Sequence, residues 1–308
     1  MGSYIGKQLA QTVFILLLIS AFIFFMVYVS GDPTLLLLPE TASDAARATL
    51  RAALGLDQPL HVQYVRYLSR LVQGDFGDSF RYGSPALPLV MERLPATLEL
   101  AAATMAIAVL VSIPLGILSA TRRNSALDVF ISGISVIGKA MPTFWLGIML
   151  ILIFSVRLQL FPVSGHGTPM HLALPAITLS AGIAAQMTRL IRSSMLDILA
   201  QDYIRTARGK GLGNAIIYYK HALRNALIPF VTIMALQTSG LIGGTLITEV
   251  IFAWPGLGQL LITAINYRDM AIVQATVFVI AIMVIASNWI ADMTYRFLDP
   301  RIKQPESR

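Results

Sequence analysis

The chain has 308 residues, 56% of them hydrophobic and only 13% charged, with a mean hydropathy of +0.71. A soluble domain carries about 25% charged residues, so the composition argues against a globular enzyme and for a polytopic membrane protein. The net charge of +7 does not mark a nucleic-acid binder, because Lys and Arg sit at the ends of apolar runs and form no basic face with interleaved aromatics; with no cysteine, disulfides, thiolate metal sites and thiol nucleophiles are excluded.

Crossing about 30 Å of hydrocarbon takes roughly 20 apolar residues. Six segments meet or approach that length. Leu9–Val29 comes first. Only Lys7 precedes it, its apolar core is too long for a cleaved leader, and no convincing small-x-small site follows, so it is expected to be a retained first helix. The segment 30–99 follows and reads as a small helical extracytoplasmic subdomain. Thr41–Leu54 is rich in Ala and Arg, with Ser43 or Thr41 as candidate cap and Gly55 as its end. His61–Val72 is amphipathic, with Val62, Val65, Leu68, Leu71 and Val72 at helical spacing. Gly74, Gly77, Gly83, Pro85 and Pro88 break the chain after it.

The remaining runs are Leu100–Ala120, Val129–Phe154, Leu172–Ile191, Ala226–Thr248 and Met270–Ile290. Lys139 is the one charge inside Val129–Phe154, and Arg189 enters the end of Leu172–Ile191, where a long side chain snorkels to the interface. Pro114, Pro142, Pro175 and Pro229 interrupt hydrogen-bond ladders in or near these runs, either as static kinks or as bending points. Gly240 and Gly244 have the spacing that permits close helix packing.

Lys and Arg in short loops set orientation. With the N-terminus inside, the inner segments hold Lys7, Arg122 and Arg123, the basic stretch from Arg189 to Arg224, and Arg296 to Arg308, whereas the short outer loops hold only Arg157 and Arg268. The expected fold is therefore an all-α integral membrane protein with six transmembrane helices and both termini cytoplasmic. Its parts are the first helix (1–29), the extracytoplasmic subdomain (30–99), a five-helix core (100–297) with a cytoplasmic loop at 193–225, and a tail (298–308).

The stretch 201–229, QDYIRTARGKGLGNAIIYYKHALRNALIP, is the most informative. It is basic and helix-prone, and it lies between two membrane-length runs. It suits either a short helix gripped by a soluble partner or a basic helix on anionic lipid. Lys139 falls near mid-membrane, where an ionisable group usually faces an aqueous path or a partner. It could line a path and attract a carboxylate, pair with a neighbouring subunit, or reach a water defect. The positions that could place a carboxylate one helical turn away are Ser135, Val136, Pro142 and Thr143. There is no G-x-x-x-x-G-K-[ST] loop, because Gly209-Lys210 lacks the upstream glycine. His61, His166, His171 and His221 are scattered and form no metal-ligand spacing, and no Ser sits in a nucleophile elbow.

These residues resemble one family over nearly the whole chain, the dipeptide/oligopeptide/nickel class of ABC importer permeases. The resemblance rests on GDP at 31–33, LGLDQPL at 54–60, GDFGDSF at 74–80, ERLPATLEL at 92–100, PTFWLG at 142–147, LFPVSG at 160–165, TRLIRSSML at 188–196, DYIRTARGKGL at 202–212, HALRNALIP at 221–229, WPGLG at 254–258, Arg268-Asp269 and LDPRI at 298–302. It implies a multi-pass subunit of the bacterial cytoplasmic (inner) membrane that is not itself an enzyme. It also implies a second homologous permease, two ATPase subunits that hold ATP and Mg, and an extracytoplasmic substrate-binding protein, with no cofactor on this chain and no nucleic acid. The family's Glu-Ala-Ala, three residues, Gly motif keeps its spacing at Ala207 and Gly211, while Arg205 and Thr206 replace its start. On this resemblance Asp202, Tyr203, Ile204, Ala207 and Gly211 are the ATPase-coupling residues, with Tyr203, Ile204 and Ala207 as an apolar docking face. Lys139 has no counterpart in the family pattern. The implied cargo is a dipeptide or oligopeptide; glutathione, nickel chelates and opines are alternatives. An ATP-independent channel or secondary transporter and an intramembrane enzyme are the rivals of a different class.

The layout predicts that reporter fusions at Arg123, Lys210 and Lys303 read cytoplasm and those at Ala46, Gly165 and Asn266 read outside. A cytoplasmic signal at Ala46 overturns it.

Overall fold

Helix α1 (Gly2–Val29) is apolar over its whole circumference, as a lipid-facing span requires. A computed structural model describes residues 2–29 and 43–298. The GDP motif, Thr41 and the tail beyond Leu298 lie outside them.

The chain forms two compact units, one of residues up to Leu94 with Leu260–Ile282, the other of Pro95–Gln259 with the residues from Met283. In the first unit, α2 (Asp44–Leu54) starts at Ser43, whose Oγ accepts from Ala46 N at 3.2 Å, and ends at Gly55 with φ +70°. Helix α3 (Leu60–Val72) does not bury the expected Val face: Val65 and Val72 are exposed. It turns Tyr64 and Tyr67 to α1 instead. Tyr64 shares a hydrogen bond with Ser20 at 2.9 Å, and Phe24 stacks at 5.3 Å from Tyr64 and 5.7 Å from Tyr67. Burial first, then the neighbouring Tyr64, pushes the Tyr67 phenol up to about 12.

A two-residue hairpin, β1 (Asp78–Ser79) and β2 (Ser84–Pro85), follows, paired antiparallel with Ser79 opposite Ser84. Ser79 Oγ donates to buried Asp269 at 2.5 Å, and Asp269 also accepts from Ile272 N as the N-terminal cap of the last helix. Arg81 stacks on Tyr267 with its guanidinium carbon 3.5 Å from the ring centre. These contacts join the GDFGDSF motif to Arg268-Asp269.

The long helices are α4 (Ala86–Thr121), α5 (Ala126–Ala140), α6 (Thr143–Leu150, continued as a π turn over Ile151–Arg157), α7 (Pro169–Leu199), α9 (Leu223–Gly244, entered through a π turn over Ile216–Ala222) and α12 (Met270–Leu298). Between them lie short α8 (Asp202–Gly209), α10 (Leu246–Ile251) and α11 (Leu257–Asn266). Among the described residues, five helices are long and apolar enough to cross a membrane, and α5 with α6 makes a sixth span if counted as one. The Val129–Phe154 run, where Pro142 was expected to interrupt the ladder, is this pair, bent by 106° at Met141–Pro142. Proline has no N–H to continue the ladder and pushes the residue before it out of the α region, and Met141 sits at φ −68°, ψ 130°. Pro114, Pro175 and Pro229, by contrast, lie inside continuous helices.

In the second unit, α4, α7 and α9 share a core of Ala108, Ile117, Met187, Ile191, Ala226 and Phe230. Gly116 lets α4 approach α7 closely, since a Cβ there would overlap Ile191. The Gly240–Gly244 pair is not used this way: a Cβ at either position would meet nothing within 4 Å.

Between α10 and α11 the chain is not helical, and Glu249 holds it. Its carboxyl is fully buried and accepts from Thr97 Oγ1 (2.9 Å), Thr245 Oγ1 (3.0 Å), Gly258 N (2.7 Å) and Gln259 N (3.2 Å). Thr97 Oγ1 in turn accepts from Leu257 N at 2.8 Å, and Trp254 Nε1 donates to Ala96 O at 2.8 Å. Gly256 and Gly258 are glycine because a Cβ at either would collide with this carboxyl. Glu249→Gln leaves the two donors that share one carboxyl oxygen facing an amide NH2. The cost is about 1–3 kcal/mol, read as a lower thermal midpoint of the detergent-purified protein; an unchanged midpoint removes the clasp from the stabilising contacts.

Candidate functional site

Helix α7 runs to Leu199, turns at Ala200, and restarts as α8 with extended Gln201 in the N-cap position. The end of α8 is closed by two bonds. Leu212 N donates to Ala207 O (3.3 Å) and Gly211 N to Arg208 O (2.9 Å), with Gly211 at φ +76°. This is a Schellman closure, whose residue after the cap takes the left-handed conformation that glycine adopts without strain. Ala207 and Gly211 occupy two fixed positions of that closure, so their four-residue spacing has a local cause.

The side chains of α8 divide sharply. Ile204 and Ala207 are buried against Ile217, with Leu199 and Tyr218 packed around them. Asp202, Tyr203, Arg205, Thr206, Arg208 and Gly211 are exposed. The expected apolar docking face of Tyr203, Ile204 and Ala207 is therefore split: two of the three anchor the helix to its own chain, and only Tyr203 is presented. Tyr203 Oη accepts from Asn225 Nδ2 at 3.0 Å. The outward surface is polar and basic, and Arg205 and Asp202 lie 3.5 Å apart in an exposed pair that contributes little.

Lys139 lies in the last turn of α5, just before the bend. Thirteen residues into that helix, it sits about 20 Å along the axis from Ala126. Its Nζ donates to Gln186 Oε1 of α7 at 3.1 Å, and the same oxygen accepts from Gln237 Nε2 of α9 at 3.0 Å. Among the described residues no carboxylate lies within ion-pair distance of it.

The sequence reading missed one residue pair. Asp128, buried at the start of α5, takes a two-pronged contact from Arg192 of α7, Nε to Oδ1 at 2.7 Å and Nη2 to Oδ2 at 2.8 Å. Ser119 Oγ (2.5 Å) and Asn124 N (3.0 Å) complete its acceptor set. A signal existed: Ser125 stands three residues before Asp128, as in a capping box, and its Oγ accepts from Asp128 N at 3.3 Å. Among the described residues, no group of three His, Cys, Asp or Glu side chains is arranged to hold a metal ion.

Because Ile204 fixes α8 by burial, Ile204→Ala should loosen it. Limited trypsinolysis at Arg205, Arg208 and Lys210 should accelerate, whereas Tyr203→Ala, at an exposed position, should leave the cleavage rate unchanged. Equal rates in both variants would refute the anchoring role.

Residues 112–304 match the family described as binding-protein-dependent transport system inner membrane component, and residues 1–101 match the N-terminal part of such components. The oligopeptide transport system permease protein AppB of Bacillus subtilis is 42% identical, covering 98% of this chain and all of the relative. The glutathione transport system permease protein GsiC of Salmonella paratyphi A is 40% identical over 98% of this chain and 99% of its own, and the dipeptide transport system permease protein DppB of Alkalihalophilus pseudofirmus 38% over 89% and 91%. In fold, the chain is similar to an inward-facing structure of the MetNI methionine ABC transporter, with TM-score 0.58 and 20% identity over 68% of this chain and 96% of that one. The chain thus belongs to the binding-protein-dependent transport system inner membrane components and is a multi-pass permease subunit of a peptide-type ABC importer, a transport component and not an enzyme.

Proposed function

We propose that this permease pairs with a second, homologous permease, two ATPase subunits and one extracytoplasmic binding protein, and carries peptides inward along a path between the two permeases. ATP and Mg act on the ATPase subunits; this chain contributes shape and leverage. Both termini and α8 face the cytoplasm, in keeping with the Lys and Arg bias of the short loops. The observation that carries the reading is the construction of α8: Ile204 and Ala207 lock it to Ile217 and Leu199 of its own chain, while its charged surface is left open. A helix so locked moves as one body with α7, so closure of the ATPases against its outer surface is transmitted into the membrane.

Asp202, Tyr203 and the exposed arginines then face the ATPase, while Ile204, Ala207 and Gly211 hold the element that carries them. Peptide cargo is favoured by the relatives named for oligopeptides, dipeptides and glutathione, itself a peptide.

In the reconstituted complex, Arg205→Glu with Arg208→Glu should cut binding-protein-stimulated ATPase activity and uptake by about tenfold, the effect of roughly 1.4 kcal/mol lost at the contact. Insertion of the permease should be unchanged. Gly211→Val should give the same loss for a different reason, because a β-branched residue at φ +76° is strained. Full uptake in both variants removes α8 from the coupling role.

A further inference from the structure

We propose that Lys139, Gln186 and Gln237 form a carboxylate-binding site that a peptide's terminal or side-chain carboxylate occupies in transit. The inference rests on the importer reading and adds to it a cargo group and the residues that select it.

Three helices contribute one polar side chain each to a single point. Lys139 can only donate, so the Gln186 group facing it has to be the carbonyl oxygen. Gln237 then has to turn its NH2 group to that same oxygen. Two donors use both lone pairs of Oε1, and among the described residues no further protein acceptor meets the remaining donors. Lys139 keeps two N–H groups. Among the described residues, no hydrogen bond is made by Gln186 Nε2, whose two N–H groups sit on the same carboxamide as the oxygen that Lys139 contacts. The cluster therefore offers an excess of donors around one positive charge.

Lys139 is exposed and the two glutamines are half-buried, so the cluster opens onto a surface. The helix itself supplies no counter-charge, since Ser135 and Val136 occupy the positions one turn before Lys139 and the helix ends at Ala140. An ammonium held some 20 Å along a membrane helix with only a neutral carbonyl for company is costly in hydrocarbon. A water-filled path with a passing anion removes that cost. A carboxylate brings two acceptor oxygens, fits beside Nζ and Gln186 Nε2 together, and is bound more strongly than the amide oxygen it replaces at Nζ. When it leaves, Gln186 Oε1 resumes its place, so release does not strand a bare charge.

The test uses the absence of cysteine from the chain. Gln237→Cys is introduced with Lys139 intact and with Lys139→Met, in the complete transporter in membrane vesicles. The rates of modification of this chain by carboxyethyl methanethiosulfonate and by its trimethylammonioethyl counterpart are compared. With Lys139 present the carboxylate reagent should gain severalfold over the cationic one; Lys139→Met should abolish the gain and Lys139→Arg restore it. Gln186→Cys gives an independent second position should the first variant assemble poorly. An unchanged rate ratio on loss of Lys139 overturns the site. Failure of both reagents to react, in a complex that still shows binding-protein-stimulated ATPase activity, places the cluster off the aqueous path: the inference falls and the importer reading stands. Absence of that stimulation in the unmodified complex sinks the importer reading and the site with it.

Discussion

A buried backbone amide without a partner in its own helix has to find one elsewhere in the protein. Glu249 shows what that demands. The segment between α10 and α11 frees amides at Leu257, Gly258 and Gln259, and all three are taken up, two by the Glu249 carboxyl and one by Thr97 Oγ1. Trp254 adds a third tie, to the carbonyl of Ala96 in α4. The buried carboxyl would be expensive alone, and four donors offset its desolvation. The two glycines of the WPGLG motif follow from the same carboxyl, which leaves no room for a Cβ beside it.

The same accounting explains α8. Its last carbonyls are closed by the amides of Gly211 and Leu212, and the closure needs one left-handed residue. The Ala-x-x-x-Gly spacing thus has a local cause in the helix end and in the burial of Ala207. Docking surfaces built on such a helix are free to vary in charge while the anchor stays, and here the start of the motif is Arg205-Thr206 and both are exposed. Leu199 belongs to α7 and also packs against the α8 anchor, which ties the two elements together.

Helix α5 carries charge at both ends, and the two ends are treated differently. Asp128 at its start is buried and fully met by Arg192, Ser119 and Asn124, an arrangement that fixes α5 on α7. A buried ion pair of this kind is costly to break at one partner. Lys139 at its end is exposed and meets only an amide carbonyl. The first is a completed contact and the second an incomplete one.

Much was legible before the fold. Apolar run lengths placed each membrane segment, but several helices run well past the apolar stretch: α4 begins at Ala86, before Leu100, and α7 ends at Leu199, after Ile191. Ser43 and Gly55 marked the ends of α2, because caps act over one turn. Pro142 was visible as a break, though not its 106° bend, which depends on how α6 packs beyond it. Residue types marked 201–229 as basic and helix-prone, but not which side chains of α8 face outward: Ile204 and Ala207 look like a docking stripe until Ile217, thirteen residues away from Ile204, is seen to cover them. The partners of Glu249, Asp269, Asp128 and Lys139 were illegible for the same reason. Each is met by a residue 64, 152 or 190 positions distant, or by Gln186 at 47, and the pairing of such groups is decided by helix packing, not by local spacing. The sequence by itself determined the class of protein, its spans and its caps, because these depend on hydropathy and on contacts within a turn. Only the tertiary structure decided which polar groups are satisfied and which still lack a partner, because that depends on distances between helices.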